Sequence, residues 1–401
     1  MASHRVLVLG GGFGGAYVAR GLARAARRGD VDVTVLSRSP SFLFTPLLPE
    51  VATGGLSRRG IAVPLFDAAA RAARVVVGEA LAVDVAARVV RADCADGCVI
   101  DLPYDTLVVA LGARANFFGV EGAAEHALPL KTIADANQIR RAVSAAFEKA
   151  SRGRRAPSFV VVGGGPTGVE LASELAELCR YSLADVYPEA LPAEISLLCA
   201  AEDVLPMLRE KARAKARAAL SAAGVAVATR ASATSVDASG VTLADGSRAL
   251  ADVVVWAAGV SPAPLPEGLD LPLDKAGRVV VDGHLRVAGH PEIFVLGDQA
   301  AGAPMLAQAA TQQAPIVSAA IVSAVSGRPL GPGFSFKPKG LLVSLGRWRA
   351  VGEIGRVTVS GPIAWFIWRT VYLLKFPCWR KRIRVAAEWA IGLFFPRDIS
   401  A

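Results

Sequence analysis

Two glycine clusters carry the clearest chemical signal in this chain. Gly10-x-Gly12-x-x-Gly15 follows Arg5-Val6-Leu7-Val8-Leu9, and Gly163-x-Gly165-x-x-Gly168 follows Phe159-Val160-Val161-Val162. Each spacing suits a strand, a tight turn and a helix. The first glycine makes the turn, the second lets a pyrophosphate approach the backbone, and the third lets the helix pack closely on the strand. The helix then offers free N–H groups and the positive end of its dipole to the phosphates. One such cluster is a weak signal. Two in one chain predict two dinucleotides and a passage of electrons between them.

Other residues with chemical potential lie at the ends of predicted strands. A ribose-binding acid is expected after the second strand of such a unit. In the first unit that position is Ser37, followed by Arg38. In the second it is Cys199, followed by Ala200 and Ala201. No arginine adjoins Cys199 to take a 2′-phosphate, and Glu202 is a partial substitute for the acid. Asp298 follows an apolar strand and precedes a helix. It fits the acid that holds a flavin's ribityl chain, with a helix N-cap as the compatible alternative. Glu170 lies just inside the second-fingerprint helix, where an acid also suits the helix dipole. Gln308 and Gln312 lie four apart, on one helical face.

The elements that must position these residues are legible in outline. Residues 5–28 read as strand, turn and helix, and Val31 to Leu36 as a second strand. Ser37 to Gly60 reads as a loop rich in proline and glycine. Val75 to Val90 and Val99 to Leu102 read as strands, with a turn at Ala95-Asp96-Gly97. Leu107 to Ala110 is a buried strand ending at Leu111-Gly112, and Ala134 to Ala150 is helical. The second unit runs from Phe159 through a helix near Val169–Arg180 to the strand Ile195–Leu198. A hairpin around Asp245-Gly246 and the strand Val253–Trp256 follow, the latter leaving through Ala257-Ala258-Gly259. Ile293 to Leu296 leads into Gly297-Asp298, and residues 304–325 are helical. The expected fold is α/β: two Rossmann-like dinucleotide-binding domains, the second inserted in the first, plus a C-terminal amphipathic segment. The boundaries read as 1–118 with 260–335, then 119–259, then 336–401.

With 401 residues, the chain is long enough for two cores. No leader segment is evident before the first strand. The five scattered cysteines suggest reduced thiols inside a cell. The four histidines show no metal-binding spacing, and no metal is expected.

The order and wording of the motifs resemble a known family. Gly10-Gly11-Gly12-Phe13-Gly14-Gly15, Phe44-Thr45-Pro46-Leu47-Leu48-Pro49, Asn116-Phe117-Phe118-Gly119 and Gly163-Gly164-Gly165-Pro166-Thr167-Gly168-Val169-Glu170 are similar to segments of type II NADH dehydrogenases. So are Trp256-Ala257-Ala258-Gly259, Gly297-Asp298, Ala307-Gln308 with Gln312-Gln313, and Gly361 to Trp368. These are single-subunit NADH:quinone oxidoreductases of the two-dinucleotide flavoprotein superfamily.

The resemblance implies FAD on the first unit and NAD(P)H on the second. Hydride would pass from nicotinamide to FAD, and two electrons then to a membrane quinone, without proton pumping. Around FAD it implies Gly12, Phe13, Gly14, Gly15, Ser37, Arg38, Thr45, Pro46, Ala110, Gly112, Asp298 and Gln308. Around the nicotinamide nucleotide it implies Gly163, Gly165, Pro166, Thr167, Gly168, Cys199 and Gly259. Gln308 and Gln312 would border the quinone. Such chemistry needs two rings in contact and water excluded, so no protein nucleophile is required. Quinone reduction also consumes two protons. Glu170 is the carboxyl expected to handle them or to touch the nicotinamide, with a helix-end role as the alternative. Neutral amides such as Gln308 and Gln312 would bond a quinone carbonyl without desolvating a charge, or would hold helices together.

The C-terminal stretch has its own character. Lys337 to Ala401 holds 12 basic and three acidic residues, a surplus equal to the whole net charge of +9. It also holds five of the six tryptophans. Gly361–Phe376 and Ala386–Phe395 are apolar and aromatic but interrupted by charge. That pattern predicts two helices lying in a membrane interface, not spanning it. The expectation is a peripheral membrane protein on the cytoplasmic face. The alternative for the tail is packing on a second copy in a homodimer. Apolar bulk argues against nucleic acid. Two rival functions share the fold. A sulfide:quinone oxidoreductase would need paired cysteines at the flavin. An apoptosis-factor-like redox-sensing flavoprotein would change partners when its nucleotide binds.

Overall fold

A computed structural model of the chain describes residues 3–397. It divides into two compact units: Met1–Leu43 with Ala62–Arg114 and Val260–Pro338, and Phe44–Ile61 with Ala115–Gly259 and Lys339–Ala401.

The first unit is built on an eight-stranded sheet. From one edge, its strands are Arg286–Val287, His290–Val295, Thr106–Val109, His4–Leu9, Val31–Ser37, Arg74–Asp84, Val89–Cys94 and Val99–Pro103. The middle strands are parallel. Thr106–Val109 and the inner ends of His4–Leu9 and His290–Val295 are continuous buried runs, as expected of strands covered on both faces. Leu7, Val8, Leu9, Val35, Leu107, Val108 and Val295 are fully buried. The helix Phe13–Arg27 crosses the helix Ala307–Ser326 closely: a Cβ on Gly21 would lie 2.3 Å from Ser318 Oγ. The stretch Val75–Val90 is two strands, not one. Residues 85–88 form a turn, with Arg88 at φ +56°, which an alternating valine pattern does not reveal.

The second unit is a five-stranded parallel sheet in the order Ala127–Pro129, Val253–Trp256, Ser158–Val162, Glu194–Cys199, Val225–Thr229. The helix Ile133–Gly153 starts with a reciprocal cap, Thr132 and Asp135 each bonding the other's backbone N–H. Arg155 grips Asp252 at 2.5 and 2.7 Å and so ties one strand start to the next.

Part of the region expected to be loop, Ser37 to Gly60, is ordered differently. Ser41–Leu43 is a strand, Thr45–Leu47 a 3₁₀ turn, and Leu48–Ala52 and Arg58–Ile61 are short helices. Proline signalled a loop, but Pro46 and Pro49 occupy helix starts, where the missing N–H costs nothing. Leu47, Leu48, Val51 and Ala52 are buried.

The tail begins with a three-stranded antiparallel sheet, Leu341–Ser344, Ala350–Ile354 and Val357–Ser360, which the sequence reading does not anticipate. Two helices follow, Gly361–Lys375 and Trp379–Ile391. The basic run Trp379–Arg384 opens the second helix. Ala364, Trp365, Trp368, Val385 and Trp389 face inward, whereas Ile363, Phe366, Leu374, Trp379, Ile383 and Ile391 are exposed. Among the described residues no helix is long and apolar enough to cross a membrane.

Candidate functional site

In the first unit the glycine turn has the form that its spacing demands. Gly10 has φ +106°, and a Cβ there would sit 2.3 Å from the Ala110 carbonyl oxygen. A Cβ on Gly15 would sit 1.9 Å from the Gly10 oxygen, so only glycine lets the helix approach. Gly12 is different. Nothing lies within 4 Å of where its Cβ would be. It caps the helix with no side-chain hydrogen bond, and the first turn holds no acid. The open space at an N-terminal helix end fits a phosphate.

The residues around this turn converge. Ser37 is buried beneath it, its Oγ 2.7 Å from a Cβ built on Gly11. Arg38 instead points outward, 3.9 Å from Glu79. Gly14 packs against Ala110 and Leu296, and Phe13 meets Phe42 edge to face at 4.9 Å. Asp298 is half-buried in the turn Gly297–Gln299. Gln313 accepts from the Gly297 N–H at 2.7 Å, and Gln299 donates to the Gly112 and Ala263 carbonyls at 2.8 and 2.9 Å. These amides hold the strand exits in register around Asp298. The role of Gln299, opaque in sequence, is thus structural. Gln308 is half-buried in the first turn of its helix. Gln312 makes both of its amide bonds to the backbone of Lys337, at 2.9 and 3.1 Å.

The second unit repeats the device. Gly163 has φ +127°, a Cβ on Gly168 would lie 1.9 Å from the Gly163 oxygen, and a Cβ on Gly165 would meet nothing within 4 Å. Pro166 and Thr167 begin a helix with no side-chain cap and no acid in its first turn. Gly259 leaves room for Phe118, whose ring would be 2.7 Å from a Cβ there. Cys199 is buried, with Sγ 3.2 Å from the Asp203 carbonyl oxygen. Thr45 and Pro46 are half-buried and belong to this second unit.

Glu170 stands in a buried group of acids that was not visible as a group in the sequence. Glu170, Glu174 and Glu177 lie along one helix and Glu50 on another; Glu50, Glu170 and Glu174 are buried. Glu170 Oε1 accepts from the Ser344 N–H at 3.0 Å. Burial pushes its carboxyl up to about 8, helped by the charges of Glu174 and Glu50 and opposed by the Ser344 N–H. Burial likewise raises Glu50 to about 7, with Glu174 adding to it and Arg369, Trp389 and Arg397 opposing.

Arg397 supplies the main counter-charge. It pairs with Glu174 at 2.6 Å and Glu177 at 2.7 Å, and donates to Thr53 at 2.7 Å. Desolvation works against its charge, but Glu174 and Glu177 hold its pKa above the ordinary value. The one available sequence signal was the spacing of Glu170, Glu174 and Glu177 on an otherwise apolar helix. Among the described residues no group of His, Cys, Asp and Glu is placed to hold a metal ion.

Comparison with known proteins gives a consistent result. Residues 4–314 match the pyridine nucleotide-disulphide oxidoreductase family, and residues 339–398 match the NDH2 C-terminal domain. The chain is 38% identical to the type II NADH:quinone oxidoreductase NdhA of Mycobacterium tuberculosis, covering 97% of this chain and 87% of that protein. It is 30% identical to the demethylphylloquinone reductase NdbB of Synechocystis, covering 97% and 96%. Among solved structures, NDH2 from Plasmodium falciparum in complex with NADH superposes with a TM-score of 0.90 at 20% identity, covering all of both chains. The sulfide:quinone oxidoreductase of Aquifex aeolicus shares the fold with a TM-score of 0.74 at 18% identity, over 98% of this chain and 96% of that one.

Proposed function

The chain belongs to the type II NADH:quinone oxidoreductases, within the pyridine nucleotide-disulphide oxidoreductase family, and we propose how its residues divide the work. The protein is an FAD-dependent NAD(P)H:quinone oxidoreductase. FAD, when bound, accepts a hydride and passes two electrons to the quinone.

The first dinucleotide-binding domain, residues 1–118 with 260–335, holds FAD. Gly12 to Gly15 receive its pyrophosphate, Ser37 bonds its adenosine ribose, and Asp298 its ribityl chain. Ala110 and Gly112 border it, with Phe13, Arg38 and Gln308 as further contacts. The second domain, residues 119–259, holds the nicotinamide nucleotide on Gly163, Gly165, Pro166, Thr167 and Gly168, with Cys199 and Gly259 beside it. The observation that carries this reading is the duplicated cradle: an open Gly12 and an open Gly165, each at an uncapped helix start.

Glu170 is the proton-handling carboxyl. A group raised to about 8 holds its proton at neutral pH and can release it as charge develops nearby. Gln308 offers a neutral amide to a quinone carbonyl. Gln312 serves by fixing the segment at Lys337. The sulfide-oxidising alternative lacks support: the loop from Thr45 to Gly55 has no cysteine, and Cys179 and Cys199 are buried.

Residues 336–401 form a membrane foot on the cytoplasmic face. Its exposed stripe, Ile363, Phe366 and Leu374 with Trp379, Ile383 and Ile391, lies beside basic Arg380 and Arg384. Apolar and basic groups together favour an anionic interface. The same stripe is the surface a homodimer would use. Steady-state oxidation of NADH and, separately, of NADPH by the FAD-loaded protein, with a soluble benzoquinone or naphthoquinone as acceptor, tests the function. Failure to turn over with either nucleotide would falsify it.

A further inference from the structure

The strand exit of the second unit carries an unusual charge pattern. An acid there accepts from the ribose hydroxyls of an unphosphorylated nucleotide and repels a 2′-phosphate. Cys199 removes both effects. Its thiol is turned under the glycine turn: a Cβ on Gly164 would lie 2.2 Å from Sγ. Asp203 does not restore the negative charge. Its carboxylate is taken by Arg217, by Arg213 at 3.4 Å and by the Val204 N–H at 2.8 Å.

The fold brings in a cation from thirty residues downstream. The strand Val225–Thr229 lies parallel to Glu194–Cys199, with Thr229 opposite Cys199. Immediately beyond, the Arg230 N–H donates to the Ala201 carbonyl at 2.9 Å and the Ala231 N–H to the Cys199 carbonyl at 2.9 Å. Arg230 takes a left-handed backbone conformation, φ +55°. Its guanidinium reaches the carboxylate of Glu202, three residues beyond Cys199, and Ala200 and Ala201 between them carry only methyl side chains. It is 76% exposed and pairs with Glu202, 83% exposed, at 3.0 Å.

We propose that this unit reads the 2′-phosphate of NADPH, with Arg230 as its partner and the acid-free exit at Cys199 as its space. The inference rests on the reading of the second unit as the nicotinamide-nucleotide site. A guanidinium offers a planar fork of donors matched to phosphate oxygens. Glu202 is the incumbent anion. An exposed pair of this kind is weak, and a more highly charged phosphate displaces it. The hydride chemistry is unchanged, because the 2′-phosphate lies at the far end of the nucleotide. Arg230 sets which nucleotide binds, not how it reacts.

The test uses fragments that carry no nicotinamide, so binding is read without turnover. The FAD-loaded protein is titrated calorimetrically with 2′,5′-ADP and with 5′-AMP. The expected result is a preference of at least about tenfold for 2′,5′-ADP, falling to within about twofold in R230Q. E202Q strengthens binding of 2′,5′-ADP by removing the competitor, and C199E weakens it. Circular dichroism checks that these variants fold. Equal binding of the two fragments, or an unchanged preference in R230Q, overturns the proposal and leaves the nicotinamide-site reading standing. Absence of binding by both fragments and by NADH overturns both.

Discussion

The indole N–H of Trp389 donates to Glu50 Oε2 at 2.6 Å, and both residues are buried. A tail tryptophan thus satisfies an interior acid 339 residues earlier in the chain. Removing the donor leaves a buried carboxyl short of a partner. W389F is expected to cost about 1–3 kcal/mol, read as a lower urea midpoint. Adding E50L to W389F should return part of that loss, and a double variant no better than W389F would show that packing alone is at stake.

Arg397 is a stronger case. It is the cation between Glu174 and Glu177; Glu174 is buried, and Arg397 and Glu177 are less than a fifth exposed. Breaking such a pair from one side costs about 3–5 kcal/mol, because charge is left uncompensated. R397M should therefore lower the thermal midpoint sharply, and a shift no larger than that of a surface arginine variant such as R91M would refute the assignment.

The buried acids also set a pH dependence. Glu170 and Glu50 are raised from 4.5 to about 8 and about 7. Between the unfolded and folded values the native state holds more protons, so stability falls as pH rises through that window. Tm measured from pH 5 to pH 8 should decline, with a smaller slope in E170Q. The same variant should shift the alkaline limb of the turnover profile with a soluble quinone. Identical Tm slopes in wild type and E170Q would remove Glu170 from this account.

The two glycines of the second cradle should fail in different ways. G168A forces a Cβ to 1.9 Å from a backbone oxygen, whereas G165A meets no protein atom within 4 Å. G168A is expected to destabilise the fold. G165A should keep wild-type Tm while losing affinity for NADH. If G165A bound NADH normally, the phosphate would not sit where the open space suggests.

For membrane association, deleting the tail is not a clean test, since Trp389 and Arg397 complete the interior of the second unit. Exposed positions are cleaner. Replacing Phe366, Trp379 and Ile383 by serine should abolish co-sedimentation with anionic vesicles while leaving Tm and soluble-quinone turnover near wild type. Retained sedimentation would move the contact elsewhere.

Much of the frame was legible because its signals are local. Gly10 to Gly15 and Gly163 to Gly168 announce their turns through steric need, and the apolar runs around them announce buried parallel strands. The tail helices were visible as aromatic stretches broken by charge. Four features were not. The sheet at Leu341–Ser360 is short and mixed in polarity, so no period stands out. The helix Leu48–Ala52 hides behind its prolines. The acid group exists only in three dimensions: Glu50, Glu170 and Arg397 come from three separate segments. Arg230 was missed for the same reason, since it reaches Ala201 only through strand pairing.

The position of Arg397 bears on how the protein is made. Its partner Glu177 lies 220 residues upstream, and the second unit is assembled from three separated stretches of chain. During synthesis the carboxylates of the helix Pro166–Leu178 leave the ribosome long before their counter-charge exists. At a translation rate of about 5–20 residues per second, that interval is on the order of ten seconds or more. For that time the half-built unit carries acids that its own interior cannot yet accept. Chaperone engagement during elongation, followed by closure when the last segment arrives, is the expected biogenesis.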